Sequence, residues 1–255
     1  MKLDREQSYF LLHGLLSSLV SVRVEGILNM PRTGGALLVC NHGDSFDALI
    51  QGLYSGRRLT FMAKAELFEG GWMEKLSEAR EKLREQGLPD EWAELAETLL
   101  ELFSQTILDT TVVSVIRNYR TGSAGESVAY YDELLERVLG HLKEDRVVAV
   151  YPEGERSGDG KMKPFKGFAA RVALAAQVPI IPAAIVGAHG LSDLGRWAQG
   201  RNRGRSVIYR IGKPIPPVHF PNGRDKRAIK TLTREMEGKV SELLYRTNGR
   251  VPVHA

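Results

Sequence analysis

Ala36-Leu37-Leu38-Val39-Cys40-Asn41-His42-Gly43-Asp44-Ser45-Phe46-Asp47 is the stretch on which the fold turns. Five apolar residues follow Gly34-Gly35, too few for a helix and enough for a strand buried on both faces. His42 then falls where the strand ends, and Asp47 near the start of the next element. If Phe46, Ala48, Leu49, Ile50 and Leu53 continue as a helix over the core, His42 and Asp47 can face each other. A carboxylate that takes the Nδ1 proton of a histidine fixes its tautomer and leaves Nε2 as a general base. This is the logic of a Ser-His-Asp triad whose nucleophile is the hydroxyl of a substrate. The same residues have plainer uses. Asp44 or Asp47 can cap a helix, and His42, Asp44 and Asp47 are all potential metal ligands. No second His/Cys cluster supports a metal, so none is expected.

Working outward, the same punctuation repeats. Val20, Val22 and Val24 alternate as a short strand before the turn Pro31 to Gly35. Leu59 to Met62 reads as a strand, as do Val112 to Ile116, Val147 to Val150, Pro179 to Val186 and Val207 to Ile211. Helices are expected from Glu126 to about Lys143, from Gly167 to Gln177 and from Arg227 to Arg246. Arg196, Arg201, Arg203 and Arg205 fall in an expected exposed loop. Strands alternating with helices indicate a single α/β domain over residues 1–255, with a mostly parallel or mixed central sheet flanked by helices.

Charge is unevenly spread. The chain carries a net +4, yet Lys64 to Asp109 holds twelve acidic and five basic residues, net −7, so the remainder carries +11. Within residues 70–109, Trp72, Leu76, Leu83 and then Trp92, Leu95, Leu99 and Phe103 have helical spacing across Gly87. An acidic helical hairpin inserted in a basic body is the expectation. The basic body suits anionic partners, including the anionic lipids of a membrane surface. No basic run or aromatic-interleaved basic patch points to nucleic acid. Cys40 is the single cysteine, which excludes an intramolecular disulfide and suits a reducing compartment. The N-terminal segment, residues 1–20, is expected to be an amphipathic helix. Tyr9 to Val20 would span about 18 Å as a helix, short of the roughly 30 Å hydrocarbon core. Phe10, Leu11, Leu12, Leu15, Leu16 and Leu19 can either dip into one leaflet or pack on the protein's own core.

Functional residues of open α/β sheets gather at strand ends. Here such ends carry His42, Arg117, and the turn Tyr151-Pro152-Glu153-Gly154-Glu155-Arg156-Ser157. Taken together with Asn41-His42-x4-Asp47 and Val178-Pro179-Ile180-Ile181-Pro182, these blocks resemble the glycerolipid acyltransferase family, of the 1-acyl-glycerol-3-phosphate acyltransferase type. The matches run in the family's order from about Val24 to Pro216.

The resemblance implies acyl transfer from a thioester to a hydroxyl, with His42 and Asp47 catalytic. It implies that Arg117 and Arg156 hold the phosphate of a lysolipid acceptor and that Glu153 and Gly154 shape its glycerol site. Charge alone suggests Lys163 and Lys166 for phosphates of the donor. No bound cofactor is implied; acyl-CoA or acyl-carrier protein serves as co-substrate. A cytoplasmic location, peripheral to the membrane face, is implied by the same likeness. There are two departures. Glu155 stands where the family usually has threonine, and should repel an anionic headgroup unless Lys161 or Lys163 pairs with it. The His42 to Arg117 separation is long, so that Arg120 is an alternative to Arg117. Other lysophospholipids, glycolipids or alcohols as acceptor, and a non-catalytic lipid-binding role, stay open.

Overall fold

The computed structural model describes residues 5–64, 81, 85, 112–115, 124–221 and 225–246. Among the described residues seven strands form one sheet: β1 (Val20–Glu25), β2 (Ala36–Cys40), β3 (Leu59–Lys64), β4 (Val112–Val115), β5 (Val147–Val150), β6 (Ile180–Val186) and β7 (Arg205–Ile211). Their spatial order is β1-β7-β6-β2-β5-β3-β4. β6, β2, β5, β3 and β4 run parallel to one another. β7 is antiparallel to β6, and β1 is parallel to β7, so these two strands oppose the rest. The expected mostly parallel, mixed sheet is therefore what forms. The α-helices described in full are α1 (Arg5–Leu19), α2 (Phe46–Tyr54), α3 (Ala124–Lys143), α4 (Phe168–Ala176), α5 (Leu194–Ala198) and α6 (Lys226–Tyr245).

β2 sits at the centre and shows why its residues are apolar without alternation. Leu38 and Cys40 enter one core with Leu12 and Leu16 of α1 and Leu49, Ile50 and Leu53 of α2. Leu37 and Val39 enter a second core with Leu134, Val138 and Leu142 of α3, the small residues Ala169, Ala170, Val172 and Ala173 of α4, and Leu232 and Met236 of α6. A strand covered on both faces has no solvent side for a polar residue to occupy. Gly35 precedes it because a Cβ there would lie 2.1 Å from the Leu142 carbonyl oxygen, a contact only glycine avoids.

One expectation about the elements changes. The Arg-rich segment is not a plain loop. Asp193 accepts a hydrogen bond from the Arg196 amide and caps α5, which contains Arg196, while Arg205 opens β7. Cys40 is fully buried, and burial pushes its thiol well up, as suits a core residue. The N-terminal helix packs one face on the protein's own core and leaves the other exposed. Leu12 and Leu16 are buried in the core, whereas Phe10 is 77% exposed and Leu11 45%. No described helix is long and apolar enough to cross a membrane. The expected hairpin over 70–109 lies outside the described residues apart from Glu81 and Glu85, both helical.

Candidate active site

β2 delivers Asn41 and His42 at its carboxyl end, between the ends of β5 and β6. Asn41 is buried and fixes the junction. Its Oδ1 accepts from the Ile185 amide at 2.8 Å, and its Nδ2 donates to the Ile185 carbonyl at 3.1 Å. The side chain thus pairs with β6 where the ladder would otherwise stop.

Asp47 lies in the first turn of α2, where a negative charge faces the positive end of the helix dipole. Its Oδ2 accepts from the amides of Gly43 and Asp44, each at 2.8 Å, and lies 3.1 Å from His42 Nδ1. The backbone hydrogen bonds close the turn; the third contact makes the pair. Asp47 is 1% exposed, and the His42 side chain 19%. Burial raises the Asp47 carboxyl above its ordinary value, and the bond from His42 only partly offsets this. Its other oxygen, Oδ1, has no hydrogen-bond donor among the described residues. With Nδ1 engaged, Nε2 is the ring atom that can take a proton.

Asp44 proves more than a turn residue. It is buried, and its carboxylate accepts from the amides of Phe46, Gly190 and Ser192 and from the Ser192 hydroxyl. It binds the His42 turn to the loop after β6. His189 of that loop lies 3.3 Å from the Gly43 carbonyl through Nδ1.

The turn after β5 closes the other side. Glu153 is buried. Its Oε1 accepts from the His42 amide and its Oε2 from the Lys163 amide, both at 2.7 Å. Burial raises its carboxyl, and those two amide bonds pull it partly back. The Ser157 amide donates to the His42 carbonyl at 2.9 Å, so His42 is tied at both ends of its backbone. Gly154 has φ +73°, and a Cβ there would meet the Lys166 side chain. Arg156 is exposed and donates to the Ser45 hydroxyl. Lys163 Nζ lies 2.9 Å from Glu155 Oε1, the compensating pair that the departure at Glu155 called for. Tyr151 stacks on His42, with ring centroids 4.1 Å apart and planes 13° from parallel.

The structure therefore gathers His42, Asp47, Glu153, Gly154, Arg156, Lys163 and Lys166 around one end of the sheet. Arg117 and Arg120 lie outside the described residues. Sequence reasoning missed Tyr151, Gln51 and the reach of Asp44. Tyr151 stood inside a quoted block, but nothing in its spacing announces a stack on a ring 109 positions earlier. Among the described residues no group of three or more His, Cys, Asp or Glu is arranged to hold a metal.

The model of the family described as Acyltransferase matches residues 21–186, which contain β2 through β6, all but the first residue of β1, and every site residue expected from the sequence. This chain belongs to the acyltransferase family. It is 37% identical over 70 residues to a 1-acyl-sn-glycerol-3-phosphate acyltransferase of Limnanthes alba, a stretch covering 28% of this chain and 23% of that protein. It is 25% identical over 217 residues to a probable 1-acyl-sn-glycerol-3-phosphate acyltransferase of Mycoplasma pneumoniae, covering 82% and 66%. The chain thus matches between 23% and 66% of the length of these two curated relatives. The crystal structure of the 1-acyl-sn-glycerophosphate acyltransferase of Thermotoga maritima superposes with a TM-score of 0.57 at 20% identity, over 98% of this chain and 86% of that one. At that identity the likeness is one of fold.

Proposed function

We propose that this acyltransferase-family chain moves a fatty acyl group from a thioester, acyl-CoA or acyl-carrier protein, to a hydroxyl of a lysophosphatidic-acid-like glycerolipid. The observation that carries the reading is the contact of His42 Nδ1 with a buried, backbone-held Asp47 at the end of β2. The names of the relatives supply the acceptor. In the reaction, Nε2 of His42 takes the proton of the acceptor hydroxyl. The oxygen attacks the thioester carbonyl carbon, the carbon–sulfur bond breaks, and the departing thiolate takes the proton back from the imidazolium. The products are an ester and a free thiol, and no acyl-enzyme or bound cofactor is required. Asp47 holds the Nδ1 proton and stabilises the transient imidazolium.

Arg156, with Arg117, is assigned to the acceptor phosphate, for which the planar guanidinium is suited. Glu153 acts through the backbone of His42 and of Lys163 and thereby sets the wall beside the glycerol, while Gly154 keeps that wall low. Lys166 is assigned to donor phosphates. Lys163, paired with Glu155, contributes to them only when that pair opens. The exposed Phe10 and Leu11 of α1, on a chain of net charge +4, support a peripheral position on the anionic cytoplasmic face of a membrane.

The test is a panel of lysolipid and simple alcohol acceptors offered with both donors. Thiol release is followed for the wild type, His42→Ala and Asp47→Ala. Lysophosphatidic acid is expected to be the preferred acceptor, with each substitution lowering the rate about 10²- to 10⁴-fold in folded protein. Full activity of His42→Ala overturns the general-base reading. Preference for an uncharged acceptor overturns the assignment of the acceptor alone.

A further inference from the structure

The contact with Asp47 does not by itself fix the imidazole. One hydrogen bond at Nδ1 sets the distance and the tautomer, but the ring can still turn about the line joining Nδ1 to Oδ2. A second contact, on the face of the ring, removes that freedom. Tyr151 supplies it, lying nearly parallel to His42 at 4.1 Å between centroids. Tyr151 is itself held, because its hydroxyl donates to Gln51 Oε1 at 2.9 Å. Gln51 is fully buried on α2, one helical turn beyond Asp47. Residues i and i+4 share a face of a helix. One face of α2 therefore carries both the carboxylate on His42 and the amide that anchors the ring stacked on His42. Burial pushes the Tyr151 phenol well up, so it stays a protonated donor to Gln51 throughout the working range.

We propose that Tyr151, anchored by Gln51, is a positioning residue of the reaction: it holds the plane of His42 so that Nε2 meets the acceptor hydroxyl, and its ring face supports the positive charge that His42 gains. The proposal rests on the reading of His42 as the base. An imidazolium over an aromatic face is attracted by the ring quadrupole. The effect belongs to the proton-transfer step, so it falls on kcat and leaves acceptor binding alone. Tyr151→Phe keeps the ring and loses the anchor. Tyr151→Leu loses both.

The experiment measures kcat and KM for the wild type, Tyr151→Phe, Tyr151→Leu, Gln51→Leu and the double variant Tyr151→Phe/Gln51→Leu. The ¹⁵N signals of the His42 ring are recorded for each, without substrate. Expected for Tyr151→Leu is a fall in kcat of about tenfold to a hundredfold, the scale of a misaligned catalytic group, with KM within about twofold. Its His42 ring should lose the single Nδ1-protonated signature expected of the wild type. Tyr151→Phe should recover most of kcat. The double variant should be no worse than the poorer single one, because hydroxyl and amide act through one bond. Wild-type kcat and ring signals in Tyr151→Leu overturn the proposal, as does a double variant whose loss is the product of the two single losses. His42→Ala, run alongside, separates the outcomes: retained activity there removes the base, whatever Tyr151 does.

Discussion

At Glu153 a carboxylate is held out of water by the two backbone amides it serves, and its burial leaves a trace in the response to pH. Its folded value is raised by burial, so the folded protein holds this proton more tightly than the unfolded chain does. The contribution to stability is therefore fully present below the ordinary glutamate value near about 4.3 and is lost as pH rises through the raised one. Glu153→Gln removes that dependence. The stability of the wild type minus that of the variant, from urea melts, should fall as pH rises above about 4.3; a rise would contradict the assignment. Glu155 gives a second prediction at this scale. Its pairing with Lys163 is half-exposed and weak, so Glu155→Thr frees a cation beside Arg156 at little cost to the fold. KM for a phosphate-bearing acceptor should drop about threefold, with an uncharged alcohol unaffected, by initial-rate measurement. The sequence showed that Glu155 needed a base, because charge can be read from letters. It could not show Tyr151 on His42, because stacking depends on how β2 and β5 lie side by side.

At the scale of elements, the turn from β2 into α2 is where local pattern and distant contact diverge. His42 and Asp47 were legible because both partners sit within six residues, and a strand followed by a helix leaves few ways to place them. The span of Asp44 was not. A carboxylate two residues before a helical Phe46 looks like a capping group, and it does accept that amide. It also gathers Gly190 and Ser192 from the loop after β6, some 146 and 148 positions away. Asp44→Ala removes the buried charged acceptor those donors share and should cost about 1–3 kcal/mol in urea or thermal unfolding. It should also lower kcat, because the His42 turn loses its tie to β6. The Arg-rich stretch misled for a related reason. Arginines suggest an exposed loop, yet the local cap at Asp193 is enough to wind α5 through Arg196.

Across the whole molecule, strand positions followed from apolar runs, and the parallel centre from alternating strands and helices. The reversal at β7 did not follow, since no residue of Arg205–Ile211 encodes its direction. α1 has two faces with different fates. Leu12 and Leu16 belong to the core, and Phe10 and Leu11 do not. Phe10→Ser with Leu11→Ser should therefore leave the melting temperature nearly unchanged while reducing co-sedimentation with anionic vesicles about tenfold or more. Unchanged vesicle binding would remove α1 from the membrane contact. The pairing of β1 with β7 bears on how the chain is made. β1 lies at the sheet edge and β7 is its neighbour, with Val20 beside Arg205. During synthesis at about 5–20 residues per second, the first strand waits roughly ten to forty seconds for its partner to leave the ribosome. Through that interval β1 has no strand to pair with, so the last strand made is the one that ties down the first.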